Sequence, residues 1–466
     1  MKKREFLTLN NEEISLISFF ICAIINTYQI KNLKGMILML KVGASQKIIT
    51  PEIGCQLFGY SYDVFSESVN DDLTATAIAF IDGEKKILAI SATVCEISTE
   101  FALEVREKVA NEIGFDVSDI MLSATHTHSG PVTATMEGWG VVDRDYADKI
   151  FIPNIIKAAV EAVENVKPAK VGVSVVQSKV GVNRRQLFRD GTIDFGQNPW
   201  GLYDPNMTVI AIKDYDGNGV VNMIHYGAHC TAAGANHEIS RDWAGVMIDC
   251  LERETKTVTA FFNGAEGDVG PRISNGLTTG DIRYVKELGA VAALDALKAY
   301  KEIKSFYPLE LKVSKDKVSL PYKPVVSLEE AKAILAEYPE KPESNAHRMR
   351  YVTMENIVEA YEKGVEIPTH KVYDQTVFAI GDIVFIPFPF EFFSEISLRL
   401  REYSDYQYTL AVGCTNGVNA YLPSQTELCR GGYEIFMFQY NGITSLADDT
   451  DTTIINENLR IMDNLK

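Results

Sequence analysis

The 466-residue chain contains no CxxC pair, and its seven cysteines (Cys22, Cys55, Cys95, Cys230, Cys250, Cys414, Cys429) are scattered and odd in number. That argues against a disulfide framework and reads as reduced thiols in a cytoplasmic protein. Basic runs are also lacking: neither Lys nor Arg gathers into a run longer than three, and 45 basic against 63 acidic residues leave a formal charge of −18. A phosphate backbone would be repelled at long range, which argues against nucleic acid and leaves small molecules as partners. No apolar run is long enough to span a bilayer. The apolar segment 14–25, behind Lys2-Lys3-Arg4, has about twelve residues where a span needs about twenty. Glu12 and Glu13 interrupt its approach, and no small-x-small cleavage site follows. Residues 1–35 therefore read as an appended or misassigned start, with a membrane-associating surface helix over 14–25 as the alternative.

What is present is ordinary globular material, 46% hydrophobic and 23% charged, with ample substance for a large core. The pattern predicts a strand over 44–49 and a hairpin of 74–81 with 86–94 around Asp82-Gly83. A helix follows from Ser98 or Thr99, with Ala102, Val105, Val109 and Ile113 on one face and Gly114 as its stop. Further on, 146–166 is helical in pattern apart from Pro153, and 169–176 reads as a strand. The stretch from Asn183-Arg184-Arg185 to Tyr203-Asp204-Pro205 reads as a substrate-holding loop. A second hairpin (207–213 with 219–226), a helix over 243–254, a strand over 258–262 and a helix over 281–301 follow. Ser327 with Glu330 makes a capping box for a helical pair over 328–364, and 376–380 with 383–388 form a third hairpin. No repeat or low-complexity linker divides this alternation. The expected fold class is α/β: one large domain over 36–466, with mixed sheets flanked by helices and a metal site at strand ends.

The chemistry-bearing residues gather just past apolar strands, where α/β sheets commonly place ligands. The stretch 122–131 ends in Thr125-His126-Thr127-His128-Ser129-Gly130-Pro131. In an extended chain residues i and i+2 share a side, so His126 and His128 project together, either as metal ligands or as two histidines of a hydrogen-bonded loop. His229 ends the strand before it. Cys230 beside it is a conceivable thiolate ligand, though a buried inert thiol is the commoner role. The segment 263–272 holds three glycines with an acid and an arginine among them, which let the backbone pass close to a ligand. Glu391 follows the last hairpin, either as a ligand or as a carboxylate favoured by a helix N-terminus. Histidines and a carboxylate from separate strands can complete a zinc site that keeps one position open for water. His225, inside a strand, reads as a core histidine, and His347 and His370 as surface residues.

Five blocks in order, Thr125–Pro131, His229, Gly267-Asp268-Val269, Pro389-Phe390-Glu391-Phe392 and Asn419-Ala420-Tyr421, resemble the motif blocks of the neutral, non-lysosomal ceramidases, over roughly residues 40 to 460. The resemblance implies a zinc-dependent amidase acting on an N-acyl bond. It implies His126, His229, Glu391 and Tyr421 as metal ligands, His128 facing the scissile bond, and Arg184 and Arg185 at the rim. Two departures stand out. Gly270 occupies the position of a serine implicated in catalysis in that family, and the chain ends about forty-five residues after Tyr421, so the family's C-terminal β-sandwich is expected to be missing.

The expected function is hydrolysis of an amide or related bond by metal-activated water. His128, Asp268 and Arg272 are the candidate catalytic residues, His128 as proton carrier and Arg272 or Tyr421 for the oxyanion. Asn183, Arg184 and Arg185 are expected to bind the substrate, an N-acyl compound that is lipid or sugar-like, with ceramide itself disfavoured by Gly270. A lyase or isomerase, or a non-catalytic binding protein that kept the cleft, are the alternatives.

Overall fold

The computed structural model describes residues 39–466 apart from 137, 343, 344 and 441. The segment read as an appended start, and with it the membrane-surface alternative for 14–25, lies outside the described residues. The chain opens with β1 (Lys41–Ile48), the hairpin β2 (Thr74–Asp82) and β3 (Lys85–Ala92), α1 (Thr99–Ile113), β4 (Ile120–Ala124) and α2 (Ile152–Glu164). It continues through β5 (Lys167–Gln177), β6 (Gly181–Leu187), β7 (Ile193–Asn198), β8 (Asn206–Asp214), β9 (Gly219–Tyr226), α3 (Asp242–Thr255), β10 (Thr259–Asn263), β11 (Val269–Pro271) and α4 (Ile282–Glu302). The last part holds β12 (Leu311–Pro321), α5 (Leu328–Leu335), α6 (Asn345–Lys363), β13 (His370–Ile380), β14 (Ile383–Pro387), β15 (Glu391–Phe392), α7 (Ser394–Tyr403), β16 (Tyr408–Val412), β17 (Tyr421–Leu422), α8 (Tyr433–Gln439) and α9 (Thr450–Asp463).

Side-chain alternation sets the layers. On β2, Ala75, Ala77 and Ala79 pack against α1 and α2, while Ile78 and Phe80 point to the opposite face and meet Phe378 and Ile380 of β13. A strand buried on both faces belongs inside a sheet covered on both sides. That sheet has eight strands in the order β10-β9-β8-β5-β1-β2-β3-β4, antiparallel except for the parallel pairs β9/β10 and β3/β4 at its two ends. One face carries α1 to α4, and the other packs on a four-stranded sheet, β12-β13-β14-β16, whose far face is covered by α7 and α9. The result is helices, sheet, sheet, helices: the mixed α/β architecture that the pattern predicts.

The large sheet curls until its edges approach each other. Ser91 Oγ on β3 donates to the Phe261 carbonyl on β10 at 2.6 Å, and Asn263 Nδ2 donates to the Thr125 carbonyl at 3.1 Å. The segment after β16 ties both edges: Gly413 N–H donates to Asn263 O (2.9 Å) and Ala124 N–H to Cys414 O (3.0 Å). The carboxyl ends of β4, β9, β10 and β14 therefore converge. Two expectations change here. The stretch expected as a loop between Asn183 and Pro205 contains the hairpin β6/β7, because its alternating residues pair with each other and with β11. The helix expected over 146–166 begins with a π-turn over Ala147–Phe151 that runs directly into α2, with Pro153 two residues past it. Among the described residues no helix is long and apolar enough to cross a membrane.

Candidate metal centre

β4 pairs with β3 through Ala124, and Thr125 N–H and His126 N–H extend that contact to the carbonyls of Ala92 (3.0 Å) and Val94 (2.9 Å). His126 then turns into the left-handed region, φ 67°, which costs an L-residue on the order of 1–2 kcal/mol. Simple alternation is thus replaced by a kink. The two histidines still meet, edge to face, with ring centroids 4.9 Å and Nε2 atoms 3.3 Å apart. His229 follows β9 from the opposite edge of the sheet. Glu391 sits on β15, whose parallel partner β17 sets Tyr421 beside it in register.

Counting protons shows what these groups can hold. His126 Nδ1 lies 3.0 Å from the Cys95 carbonyl, and His229 Nδ1 lies 2.8 Å from the Glu266 carbonyl. A carbonyl only accepts, so each Nδ1 carries a proton and each neutral ring presents its Nε2 lone pair. Those two Nε2 atoms stand 3.3 and 3.1 Å from the same oxygen, Oε2 of Glu391. All three side chains are buried, and neither His229 Nε2 nor Glu391 Oε2 has a hydrogen-bond partner. Left so, an unpaired buried polar atom costs about 1–3 kcal/mol.

The cluster attracts positive charge. Burial lowers His126, but the neighbouring Cys95 and Glu391 outweigh it and hold the imidazole well above its ordinary value, so without a metal a proton on Nε2 supplies the charge that a cation would bring to the neutral ring. Burial raises the Glu391 carboxyl, but His126 and His229 outweigh it and hold it well below. His229 is pushed down by burial to about 3 and stays neutral. One divalent cation would satisfy all three donors, whose ligating atoms lie within 4.8 Å of one another. Two neutral imidazoles and a carboxylate, with a further position open, are a donor set that suits catalytic zinc.

Around this centre, Tyr421 Oη accepts a hydrogen bond from Arg184 Nη2 at 3.0 Å, and Arg184 Nε is fixed on Glu434 Oε1 at 2.8 Å. His128 completes the face. Burial, and after it His126 and His229, hold its imidazole well below the ordinary value, and its Nδ1 is buried without a partner. Tyr60 packs edge-on against this ring with centroids 5.1 Å apart, and a Cβ on Gly59 would lie 2.4 Å from His128 Nδ1. Only glycine lets that backbone approach so closely, and its φ of +122° suits glycine as well.

Other candidates from the sequence lie elsewhere. Asp268 is buried, its Oδ1 accepting from Ser394 N–H and Oγ (both 2.8 Å) and its Oδ2 from Asn183 Nδ2 (3.1 Å), so it anchors the start of α7. Asn183 also donates to the Leu202 carbonyl. Arg185 is spent on Glu427 (2.9 Å), Glu434 (2.7 Å) and the Gly431 carbonyl (2.6 Å). Arg184 and Arg185 are thus interior residues, where a rim position was expected. The Arg272 guanidinium lies 5.9 Å from the Tyr203 ring centroid and is not among the residues that line the cavity at His126 and Glu391. A Cβ at Gly270 would meet Thr278 Cβ at 2.6 Å, so no room is left there for a serine side chain. Cys230 is packed in the apolar cluster of Tyr226 and Trp243, and His225 Nε2 donates to the Ala411 carbonyl at 2.7 Å inside the core.

The sequence reading missed two buried acids. Glu96, two residues past Val94, faces Glu391, and burial together with that carboxylate keeps it well above the ordinary carboxyl value. Glu266 accepts from Cys414 Sγ at 3.0 Å and is pushed up by burial to about 8. Both follow strands, β3 and β10, so the strand-end signal that marked the histidines pointed to them too.

The family described as neutral/alkaline non-lysosomal ceramidase, N-terminal, matches residues 40–284. Neutral ceramidases B and A of Dictyostelium discoideum are 28% identical over 217 and 218 residues, 42% of this chain and 30% of each of those proteins. The match thus spans less than a third of the curated relatives' length. The neutral ceramidase from Pseudomonas aeruginosa shares the fold, with TM-score 0.69 and 18% identity over 91% of this chain and 73% of that one. A ceramidase solved in complex with C2 also has TM-score 0.69, with 16% identity over 91% and 75% of the two chains.

Proposed function

The chain belongs to the neutral/alkaline non-lysosomal ceramidase family, and from that premise we propose that it is a zinc-dependent hydrolase that cleaves an N-acyl amide bond with water. The observation that carries the reading is the convergence of His126 Nε2, His229 Nε2 and Glu391 Oε2, two of them buried without a partner. Tyr421, beside Glu391 on the neighbouring strand, is the fourth donor, its oxygen steadied by the cationic Arg184. When bound, zinc supplies Lewis acidity and lowers the pKa of water towards neutrality.

The chain's own residues do the rest. The carbonyls of Cys95 and Glu266 fix the tautomers of His126 and His229. His128 stays neutral, and its Nε2 is within 3.3 Å of His126 Nε2, so it can take a proton from the attacking water. The water oxygen bonds to the acyl carbon, the C–N bond breaks, and His128 Nε2 hands the proton to the departing nitrogen, leaving a carboxylic acid and an amine. Gly270 has no side chain and cannot carry an acyl group, and attack by metal-activated water would need no side-chain nucleophile. The six described cysteines are free thiols, which supports a reducing, cytoplasmic setting.

The test is metal analysis of the purified full chain, followed by amine release from N-acyl substrates after chelation and zinc restoration. Stoichiometric zinc with turnover that chelation abolishes and zinc restores is expected. A protein that binds no metal, or turns over equally without it, would overturn the reading.

A further inference from the structure

The loop that follows β7 holds an indole out in solvent. Trp200 is 94% exposed, while Trp139 and Trp243, the other two tryptophans of the chain, are buried. Tryptophan is highly buried on average, so an open indole on a fixed loop is placed to meet a ligand. Hydrogen bonds fix this one. Trp200 N–H donates to Asn198 Oδ1 (3.2 Å), Gly201 N–H to the Asn198 carbonyl (3.1 Å), and Asn198 Nδ2 in turn to the Arg185 carbonyl (3.1 Å). Asn183 Nδ2 donates to the Leu202 carbonyl at 2.8 Å, and a Cβ on Gly201 would lie 2.4 Å from Asn183 Cγ, so the backbone rests directly on that buried amide.

Trp200 lines a cleft of ≈ 560 Å³ that includes none of the metal-centre residues. Its lining is of two kinds. Trp200, Leu187 and Leu202 offer exposed apolar surface. Gln186, Gln197 and Arg430 offer polar groups. Gln197 spends its Nε2 on the carbonyls of Ile273 and Leu277 (2.7 Å each), which leaves Oε1 to accept. Arg430 spends Nη1 on Glu427 Oε1 (2.7 Å), which leaves Nε and Nη2 to donate. Gln186 Oε1 lies 1.9 Å from where a Cβ on Gly196 would fall, so glycine lets that amide lie across β7. A pyranose ring matches this lining: its C–H bonds form an apolar face that an indole covers, and its hydroxyls both donate and accept. An alkyl chain would cover the amides and the guanidinium without replacing their water, and an anion would face Glu395 and Glu427.

We propose that this cleft is a saccharide-binding site, which takes a short pyranoside stacked on Trp200 and hydrogen-bonded by Gln186, Gln197 and Arg430. The site goes beyond the hydrolase reading and does not rest on it, because its groups bind a neutral hydroxylated ring without a metal.

Because the other two indoles are buried, intrinsic fluorescence reports on Trp200. Cellobiose, lactose and chitobiose are titrated into the full chain, with mannitol as an open-chain polyol that has hydroxyls but no ring face. At least one disaccharide is expected to give a saturable blue shift of the emission and to protect the indole from acrylamide, and mannitol to do neither. By calorimetry, Trp200→Ala should raise the dissociation constant of that disaccharide at least about tenfold, and Trp200→Phe, which keeps a ring, by less. Gln186→Ala and Arg430→Ala should each weaken it as well. The Trp200 side chain stands in solvent, so its removal leaves the core intact. No saturable response to any of the three disaccharides, an equal response to mannitol, or unchanged binding by Trp200→Ala overturns the proposal. Saccharide binding by a protein that proves to hold no metal upholds the site and defeats only the hydrolase reading.

Discussion

Replacing His229 by alanine removes one of the three converging donors, and its consequence for stability follows from mass action. A single outer partner of a metal ligand is worth about 10–100-fold in affinity, so loss of a ligand itself should weaken zinc by at least about 100-fold. Metal that binds the folded chain stabilises it by RT ln(1 + [L]/Kd). With free zinc at a thousand times the wild-type Kd, that is about 4.1 kcal/mol for the wild type and about 1.4 kcal/mol for a variant a hundredfold weaker. The zinc-dependent increment should therefore shrink by about 2.7 kcal/mol. His229 is fully buried, so truncation also leaves a cavity whose cost is of the order of 2–5 kcal/mol. That cost is present with and without metal, and comparing increments within each protein cancels it. The assay is reversible denaturant unfolding of both proteins with zinc and with chelator, beside metal content by mass spectrometry. Equal increments in the two proteins, or full metal retention by the variant, would refute the assignment of His229 and the reasoning from unpaired lone pairs.

Three further outcomes are expected. His128→Ala should lower turnover by about a hundredfold or more while zinc stays bound, read as amine release beside metal content; unchanged turnover would remove His128 from the proton path. Asp268, pushed up by burial to about 7 from an ordinary 3.8, is kept protonated by the fold, so its ionisation in the unfolded chain costs stability progressively as pH rises between about 4 and 7. Asp268→Asn should therefore gain on the wild type across that window, by roughly 4 kcal/mol as an upper bound, in denaturant unfolding at pH 4 and pH 7.5; a pH-independent difference contradicts this. Hydrolysis should show no burst of leaving group and no acyl transfer to hydroxylamine, and Gly270→Ser, forced against Thr278, should lose about 1–3 kcal/mol of stability without gaining activity. A burst with hydroxamate formation would establish a covalent intermediate.

The sequence was informative wherever a residue's role is set by its near neighbours. The apolar run over 74–81 located β2, Asp82-Gly83 its turn, with Gly83 at φ 64°, and Gly114 the left-handed stop of α1. The same local logic, polar residues just past apolar runs, picked out His126, His128, His229 and Glu391, which the fold does bring together. Tertiary structure decided which strand ends meet and which way each side chain turns once the strand is over. Glu266 and Asp268 share one glycine-rich turn, yet the first reaches Cys414 near His126 and the second is drawn to Ser394 and Asn183. Asn183, Arg184 and Arg185 look like a polar loop in the sequence, but β6 pairs into a sheet and buries Asn183 against Asp268 and the two arginines against Glu427 and Glu434. The reason is physical. Burial periodicity is written in residues two or four apart, whereas the curl that joins β4 to β10 rests on contacts between residues more than a hundred apart, such as the Asn263 side chain with the Thr125 carbonyl, and no local pattern records them.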